Sequence, residues 1–407
     1  MEEWKEYKYT DLCSLIGGGT PKTSEPTYWG GNIPWLSVKD FGNDEKYVYT
    51  TEKTITEAGL NNSSTKLLHK DDIIISARGT IGAIAMLASE MAFNQSCFGI
   101  RSNDLVDQQY LYYLTRTKIT ELQKNSHGSV FDTITRDTFD KICCYIPPKD
   151  EQKRIATILS SLDDKIKVNR RINENLEQLA QALFKSWFVD FEPFKDGEFV
   201  ESELGMIPKG WRVGRLNEVA YINPPRTLKK GQNALYLDMK NMPTSGPFPS
   251  NWDFKEYTGG MKFQNQDTLM ARITPCLENG KVAYINFLHK DEVAFGSTEY
   301  IVMTAKDGFI PELLYFLCRD DAFKGYATKN MNGSSGRQRV SGETIGNYII
   351  AIPPKNVISS ISDYYNVIMD YIRKNGVESR CLAELRDTLL PRLMSGELNV
   401  NEIENSL

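Results

Sequence analysis

Ile146-Pro147-Pro148-Lys149 recurs as Ile352-Pro353-Pro354-Lys355, an offset of 206 residues (352 minus 146). After each copy a seam of residues falls four and three apart in turn, with one extra step of three near its end. In the first they are Ile155, Leu159, Leu162 and Ile166, then the amides Asn169 and Asn173, then Leu176, Leu179 and Leu183. In the second they are Ile361, Tyr365, Ile368 and Ile372, then Asn375 and Ser379, then Leu382, Leu385 and Leu389. Every position keeps the same offset, polar members included, so the chain is an internal duplication. This spacing keeps one face of a helix against a partner helix. Each helix should run over roughly 35 residues, about 50 Å at ~1.5 Å per residue. Asn169 and Asn375 then sit inside the seam, where a buried amide must find a partner and so penalises wrong registers. The alternative is an amphipathic cap on each domain, and so long a stripe is more than one small domain needs. Gly376 stands where the first helix has Arg170 and is a candidate kink.

Upstream of the helices the copies correspond more loosely. Asn32-Ile33-Pro34-Trp35-Leu36-Ser37-Val38-Lys39-Asp40 matches Asn233-Ala234-Leu235-Tyr236-Leu237-Asp238-Met239-Lys240-Asn241. Ala77-Arg78 matches Ala271-Arg272, Ala92-Phe93 matches Ala294-Phe295, and Tyr112 to Arg116 matches Tyr315 to Arg319. Gly128-Ser129 matches Gly333-Ser334. Short β-type runs broken by Gly, Pro and Asn, with one short helix, predict a mixed α/β (α+β) domain with recognition loops. The expected division is a first domain over 1–148 and a long helix over 149–190. A linker and second domain follow over 191–354, then a second long helix and tail over 355–407. Helices that match residue for residue, beside domains sharing only a skeleton, are what binding proteins show when each copy reads something different.

At 407 residues the chain exceeds one ordinary core, and 41% apolar residues suffice for two. Mean hydropathy is −0.41, and no run approaches the roughly 18 apolar residues of a membrane helix. Met1-Glu2-Glu3-Trp4 carries no secretory signal. Seven scattered cysteines, with only Cys143-Cys144 adjacent, read as buried small hydrophobes in a reducing cytoplasm. A net charge of −5 argues against a nucleic-acid clamp acting alone. Either the basic groups cluster on one face, or a partner supplies much of the attraction to phosphate.

Catalytic motifs are incomplete. Asn223-Pro224-Pro225-Arg226 resembles the Asn-Pro-Pro-aromatic signature of amino-methylating DNA methyltransferases, but that fourth residue must be aromatic to stack on a flipped base. Gly17-Gly18-Gly19-Thr20 lacks the Gly-Lys-Ser/Thr of a phosphate loop and reads as a flexible loop. His69, His127 and His289 have no ligand-spaced carboxylate or cysteine, so no metal site is expected. No catalytic residue and no cofactor of this chain is predicted. The loops offer DNA chemistry instead. Thr20 and Lys22 suit phosphate, Ser37 and Lys39 end a strand, and Arg78 with Thr80 puts a guanidinium on a turn where it could grip a guanine edge. Asn94 and Gln95 offer amides for adenine. In the second copy the candidates are Lys240, Asn241, Arg272, Thr274, Ser334, Ser335, Arg337, Gln338 and Arg339.

Together, Gly18 to Thr23, Tyr28-Trp29-Gly30-Gly31, Ile33 to Ser37, Arg272 to Lys281, Gly336 to Arg339 and both Ile-Pro-Pro segments resemble the specificity subunits of type I restriction–modification enzymes. The resemblance covers essentially the whole chain. It implies two target-recognition domains, each reading half of a bipartite, asymmetric DNA sequence. It implies that the long helices pair antiparallel as a coiled-coil spacer with a pseudo-twofold axis. Two methyltransferase subunits would dock on this scaffold, and nuclease-translocase subunits would complete the restriction complex. S-adenosylmethionine, ATP and Mg²⁺ would belong to those partners, with no membrane involved.

Overall fold

The computed structural model describes residues 4–42, 45–126, 133–334 and 336–404. Ser335 and the Gly128-Ser129 match lie outside the described residues. The chain forms two compact units, Met1–Lys167 with Leu382–Leu407, and Val168–Cys381. Both boundaries fall within the long helices, so each unit contains part of each helix.

In the first unit, Ile73–Ser76 is buried at every position, as a strand covered on both faces must be. It lies at the centre of a five-stranded sheet ordered Cys13–Gly17, Cys97–Ser102, Ile73–Ser76, Ile84–Leu87, Tyr47–Val48. A second sheet runs Lys53–Ile55, Trp29–Leu36, Met91–Phe93, Leu67–Leu68. Within it Trp35-Leu36 pairs parallel with Ala92-Phe93. In the second unit the order repeats. One sheet is Ala220–Ile222, Tyr300–Ala305, Asp267–Ala271, Val282–Tyr284, and the other is Asp253–Glu256, Asn233–Leu237, Ala294–Gly296, Met261–Phe263. The parallel pair recurs as Tyr236-Leu237 with Phe295-Gly296. Thus the duplication extends to topology where the side chains have diverged. Among the described residues, only the second unit has such a hairpin, Phe199–Ser202 with Gly205–Pro208.

The repeated Ile-Pro-Pro segments join a strand to a helix. Ile146 pairs with Lys5 and Ile352 with Arg212. Proline then favours extended backbone in the residue before it and lacks an N–H that a first helical turn would leave unpaired. The helices run Lys149–Phe184 and Lys355–Met394. In the first unit Ile155 and Leu159 join a core with Leu390, Leu393 and Met394. In the second, Ala180 and Phe184 join one with Ile361, Tyr365, Ile368 and Ile372. In each unit, early residues of one helix meet late residues of the other, so the pairing is antiparallel.

The seam amides find partners, all within the second unit. Asn169, 1% exposed, donates to Glu378 Oε2 at 2.7 Å. Asn375 donates to Asn173 Oδ1 at 2.9 Å, and Asn173 to the Ile372 carbonyl at 3.0 Å. Two expected seam residues are displaced. Leu179 and Leu385 are exposed, and Ala180 and Arg386, one residue later, are buried instead. Ala180 and Arg386 stand seven residues after Asn173 and Ser379 and so keep the seam's rhythm, whereas Leu179 and Leu385 stand three residues after Leu176 and Leu382, where the alternation calls for four. Leu162, Leu176, Leu183, Leu382 and Leu389 are half-buried at the seam's margins, and Ile166 is buried.

Arg386, 2% exposed, donates through Nη1 to Asp163 Oδ1 at 2.7 Å. Tyr113 donates to the other Asp163 oxygen at 2.5 Å. At the repeat offset these two positions are Ala180 and Met369, both buried. The same place in the duplicated seam is therefore ionic in one unit and apolar in the other. Replacing Arg386 with Ala leaves Asp163 buried without its counter-ion and should cost about 3–5 kcal/mol in urea unfolding. The double change Asp163→Met, Arg386→Ala copies the apolar pair and should recover most of that loss. A double variant as unstable as the single would contradict this.

Candidate nucleic-acid interface

Parallel strands end on the same side, which gathers the recognition loops of each unit. In the first unit the Asn94 N–H donates to the Leu36 carbonyl at 2.9 Å, Gly19 to Phe93 at 2.9 Å, and Ala77 to Ser96 at 2.7 Å. These bonds bring Gly18–Thr23, Ser37–Phe41, Ala77–Ile81 and Asn94–Ser96 together. The triple-glycine segment is not slack. A Cβ on Gly18 would lie 2.2 Å from the Asn94 carbonyl oxygen, so this loop needs glycine to pass its neighbour. Lys22, Lys39 and Arg78 are exposed. Among the described residues the Arg78 guanidinium has no partner, and Gly79 beside it has φ of 79°, a turn that presents Arg78 and Thr80 outward.

Other candidates carry structural duties. Ser37 caps the turn Val38–Asp40, its hydroxyl donating to Asp40 at 2.8 Å. Thr20 and Gln95 hydrogen-bond each other. Asn94 uses its side-chain oxygen to accept the Ser96 N–H at 3.1 Å. These side chains already have partners inside the loop cluster, as short polar groups on turns commonly do.

The second unit builds the same cluster from different groups. Arg272 N–H donates to the Glu299 carbonyl, Val340 to Arg272, and Thr274 to the Gln338 carbonyl, at 3.0, 3.0 and 3.1 Å. Arg272 is half-buried with its Nε buried and unpaired, unlike the exposed Arg78 it matches. Arg339 is not free either. Its guanidinium grips Glu299 through three contacts of 2.8 to 3.0 Å, and those hydrogen bonds hold the Glu299 carboxyl below its ordinary pKa. Lys240, Ser334 and Arg337 are exposed, with Asn241 and Gln338 half-buried beside them. Among the described residues Arg337 has no side-chain partner, so it is the counterpart of Arg78 in chemistry, though not in position.

The structural roles of Glu299, Arg226 and Lys281 are not legible in the sequence, because each acts on a distant segment. Arg226 donates to both Asp267 oxygens at 2.6 Å, and Asp267 is fully buried. The Asn223 side chain accepts the Val302 N–H at 2.9 Å. The Asn-Pro-Pro-Arg segment is thus a brace across the sheet. Lys281 donates to the Met239 carbonyl at 2.7 Å and ties two loops. Among the described residues, no three or more His, Cys, Asp or Glu side chains are grouped to hold a metal, and no helix is long and apolar enough to cross a membrane.

The model of the type I restriction modification DNA specificity domain matches residues 1–178 and again residues 208–374. The chain belongs to this family. It is similar to the type I restriction enzyme MjaIX specificity subunit of Methanocaldococcus jannaschii, 32% identical over 99% of this chain and 95% of the relative. It is also similar to the HindI specificity subunit of Haemophilus influenzae, 24% identical over 98% of this chain and all of that relative. In fold it resembles the crystal structure of a type I S subunit from M. genitalium, with a TM-score of 0.54, 14% identity and 96% of each chain covered. For a DNA specificity subunit, the Glu299 carboxylate is a counter-charge inside the loop cluster. Glu299→Gln should raise non-specific DNA affinity and steepen its salt dependence by about one ion. An unchanged slope in a binding titration would show that the Arg339–Glu299 pair faces away from phosphate.

Proposed function

We propose that this specificity subunit reads a bipartite, asymmetric DNA target and performs no chemistry itself. The observation that carries this reading is the repeated loop cluster: one topology twice, with an exposed arginine in each that has no side-chain partner among the described residues, and different neighbours around it. Topology held constant under varied side chains suits two half-sites of different sequence. Arg78 and Arg337 can each make a bidentate contact to a guanine edge. Lys22, Lys39 and Lys240 suit phosphate.

The partners in this reading are double-stranded DNA, two methyltransferase subunits and nuclease-translocase subunits, acting in the cytoplasm. S-adenosylmethionine, ATP and Mg²⁺ are theirs. A docking face is available in the second unit, where Val168, Ile172, Leu179, Tyr364, Val367 and Tyr371 are exposed apolar residues of the long helices. Each precedes a seam residue by one position, and in an antiparallel pair such positions lie on one side of both helices. An apolar stripe of this kind marks a protein interface. Partners that embrace DNA also account for a chain whose own net charge is −5.

The experiment is methylome sequencing of a host expressing the chain with its methyltransferase subunit. A bipartite methylated-adenine motif that disappears when this chain is deleted is the expected result, and exchanging residues 1–148 should alter one half only. Arg78→Ala should relax that half at a single base pair, by about 1–3 kcal/mol of discrimination. Absence of any bipartite motif beside an active methyltransferase would overturn the proposal.

A further inference from the structure

Glycine inside a helix costs about 1 kcal/mol relative to alanine, and Gly376 lies within the unbroken helix Lys355–Met394. Its reason is packing. A Cβ there would stand 2.6 Å from the Phe248 ring. Phe248 belongs to Pro243–Trp252, the stretch that follows the recognition turn Met239–Asn241. Four residues along the same helix, the Arg380 guanidinium lies 3.8 Å from the Trp252 ring centroid, and Trp252 stacks on Phe287 at 4.2 Å. The other long helix holds the stretch too. Glu177 accepts the Gly246 N–H at 2.7 Å and lies 3.5 Å from Arg319 Nε, while Arg319 Nη1 donates to the carbonyls of Thr244 and Gly280 at 2.7 and 3.0 Å.

The far end of this strap returns to the loop cluster. The Ser250 N–H donates to the Asn241 carbonyl at 3.2 Å, and Lys281 anchors Met239 beside it. The first unit uses the same device with other groups. Beyond its own turn Val38–Asp40, Lys46 donates to Ser160 of the long helix at 2.7 Å, and Lys167 lies 4.8 Å from the Tyr49 ring centroid.

We infer that the long helices position the recognition turn of the second unit through this strap. Gly376, Arg380 and Glu177 are therefore specificity-determining residues outside the loop cluster. The inference rests on the functional reading above, that these loops read DNA. It predicts that a change on a helix alters which bases one half-site accepts.

Gly376→Ala is the test, made in the full chain expressed with its methyltransferase subunit and read by methylome sequencing. Alanine favours the helix, so weakened helix formation cannot explain its effect. The expected result is methylation of sites mismatched in one half of the motif, about tenfold or more above the unaltered chain, with the other half as stringent as before. Arg380→Gln should relax the same half, and Arg380→Lys, which keeps a cation over Trp252, should restore it. Simple loss of stability would lower methylation at all sites without changing the motif. Stringency unchanged in both halves, or relaxed equally in both, would overturn the inference. If the unaltered chain directs no bipartite motif, the functional reading fails first and takes this inference with it.

Discussion

Three amides inside the helix seam constrain the rest of the structure. Asn169, Asn173 and Asn375 bond across from one helix to the other, onto a carboxylate, an amide oxygen and a backbone carbonyl. A slide of one residue would turn each of them about 100° around its helix and strand it in an apolar groove. Because the partner of an apolar stripe is interchangeable and the partner of a buried amide is not, the polar layer specifies the register. With the register set, the strand that feeds the second helix through Ile352-Pro353-Pro354 is set as well. The strap over Gly376 can then meet its helix at one place only.

The long helices were legible because their signal is repeated twice and extends over many turns. The error at Leu179 and Leu385 came from leaving the seven-residue rhythm past the amides for the nearest leucine, since that rhythm falls on Ala180 and Arg386. The sheets were not legible in detail. Their strands are short, several of only two or three residues, and the parallel pairing of Trp35-Leu36 with Ala92-Phe93 joins segments with no local relation. A period of two cannot be read reliably in three residues. The duplication itself therefore predicted the shared topology better than any strand did.

In the loop clusters the candidate lysines are exposed, while the shorter side chains divide: Thr80 and Ser334 are exposed and Thr20, Ser37, Asn94 and Asn241 are half-buried. Lys22, Lys39 and Lys240 face solvent, as long solvated cations usually do. Ser37 and Asn94 bond within their own turns, and Thr20 and Gln95 bond each other across two loops. Arginine divides by context. Among the described residues Arg78 and Arg337 have no side-chain partner, whereas Arg339 is claimed by Glu299, forty residues away in sequence. Nothing in the Gly-Arg-Gln-Arg run distinguishes its two arginines, since the carboxylate that selects between them arrives with another strand.

The unlike pairs Asp163–Arg386 and Ala180–Met369 also bear on ancestry. A chain that arose by doubling began with halves that could replace one another. Here they no longer can. Two first halves joined head to tail would set Asp163 against an alanine, burying a carboxylate without its arginine at a cost of about 3–5 kcal/mol, and two second halves would set Arg386 against a methionine in place of Asp163. Recombination between relatives can still trade the loops, which touch no such pair. It can no longer trade the helices end for end, so inheritance of this gene has acquired a direction that its repeat alone would not have.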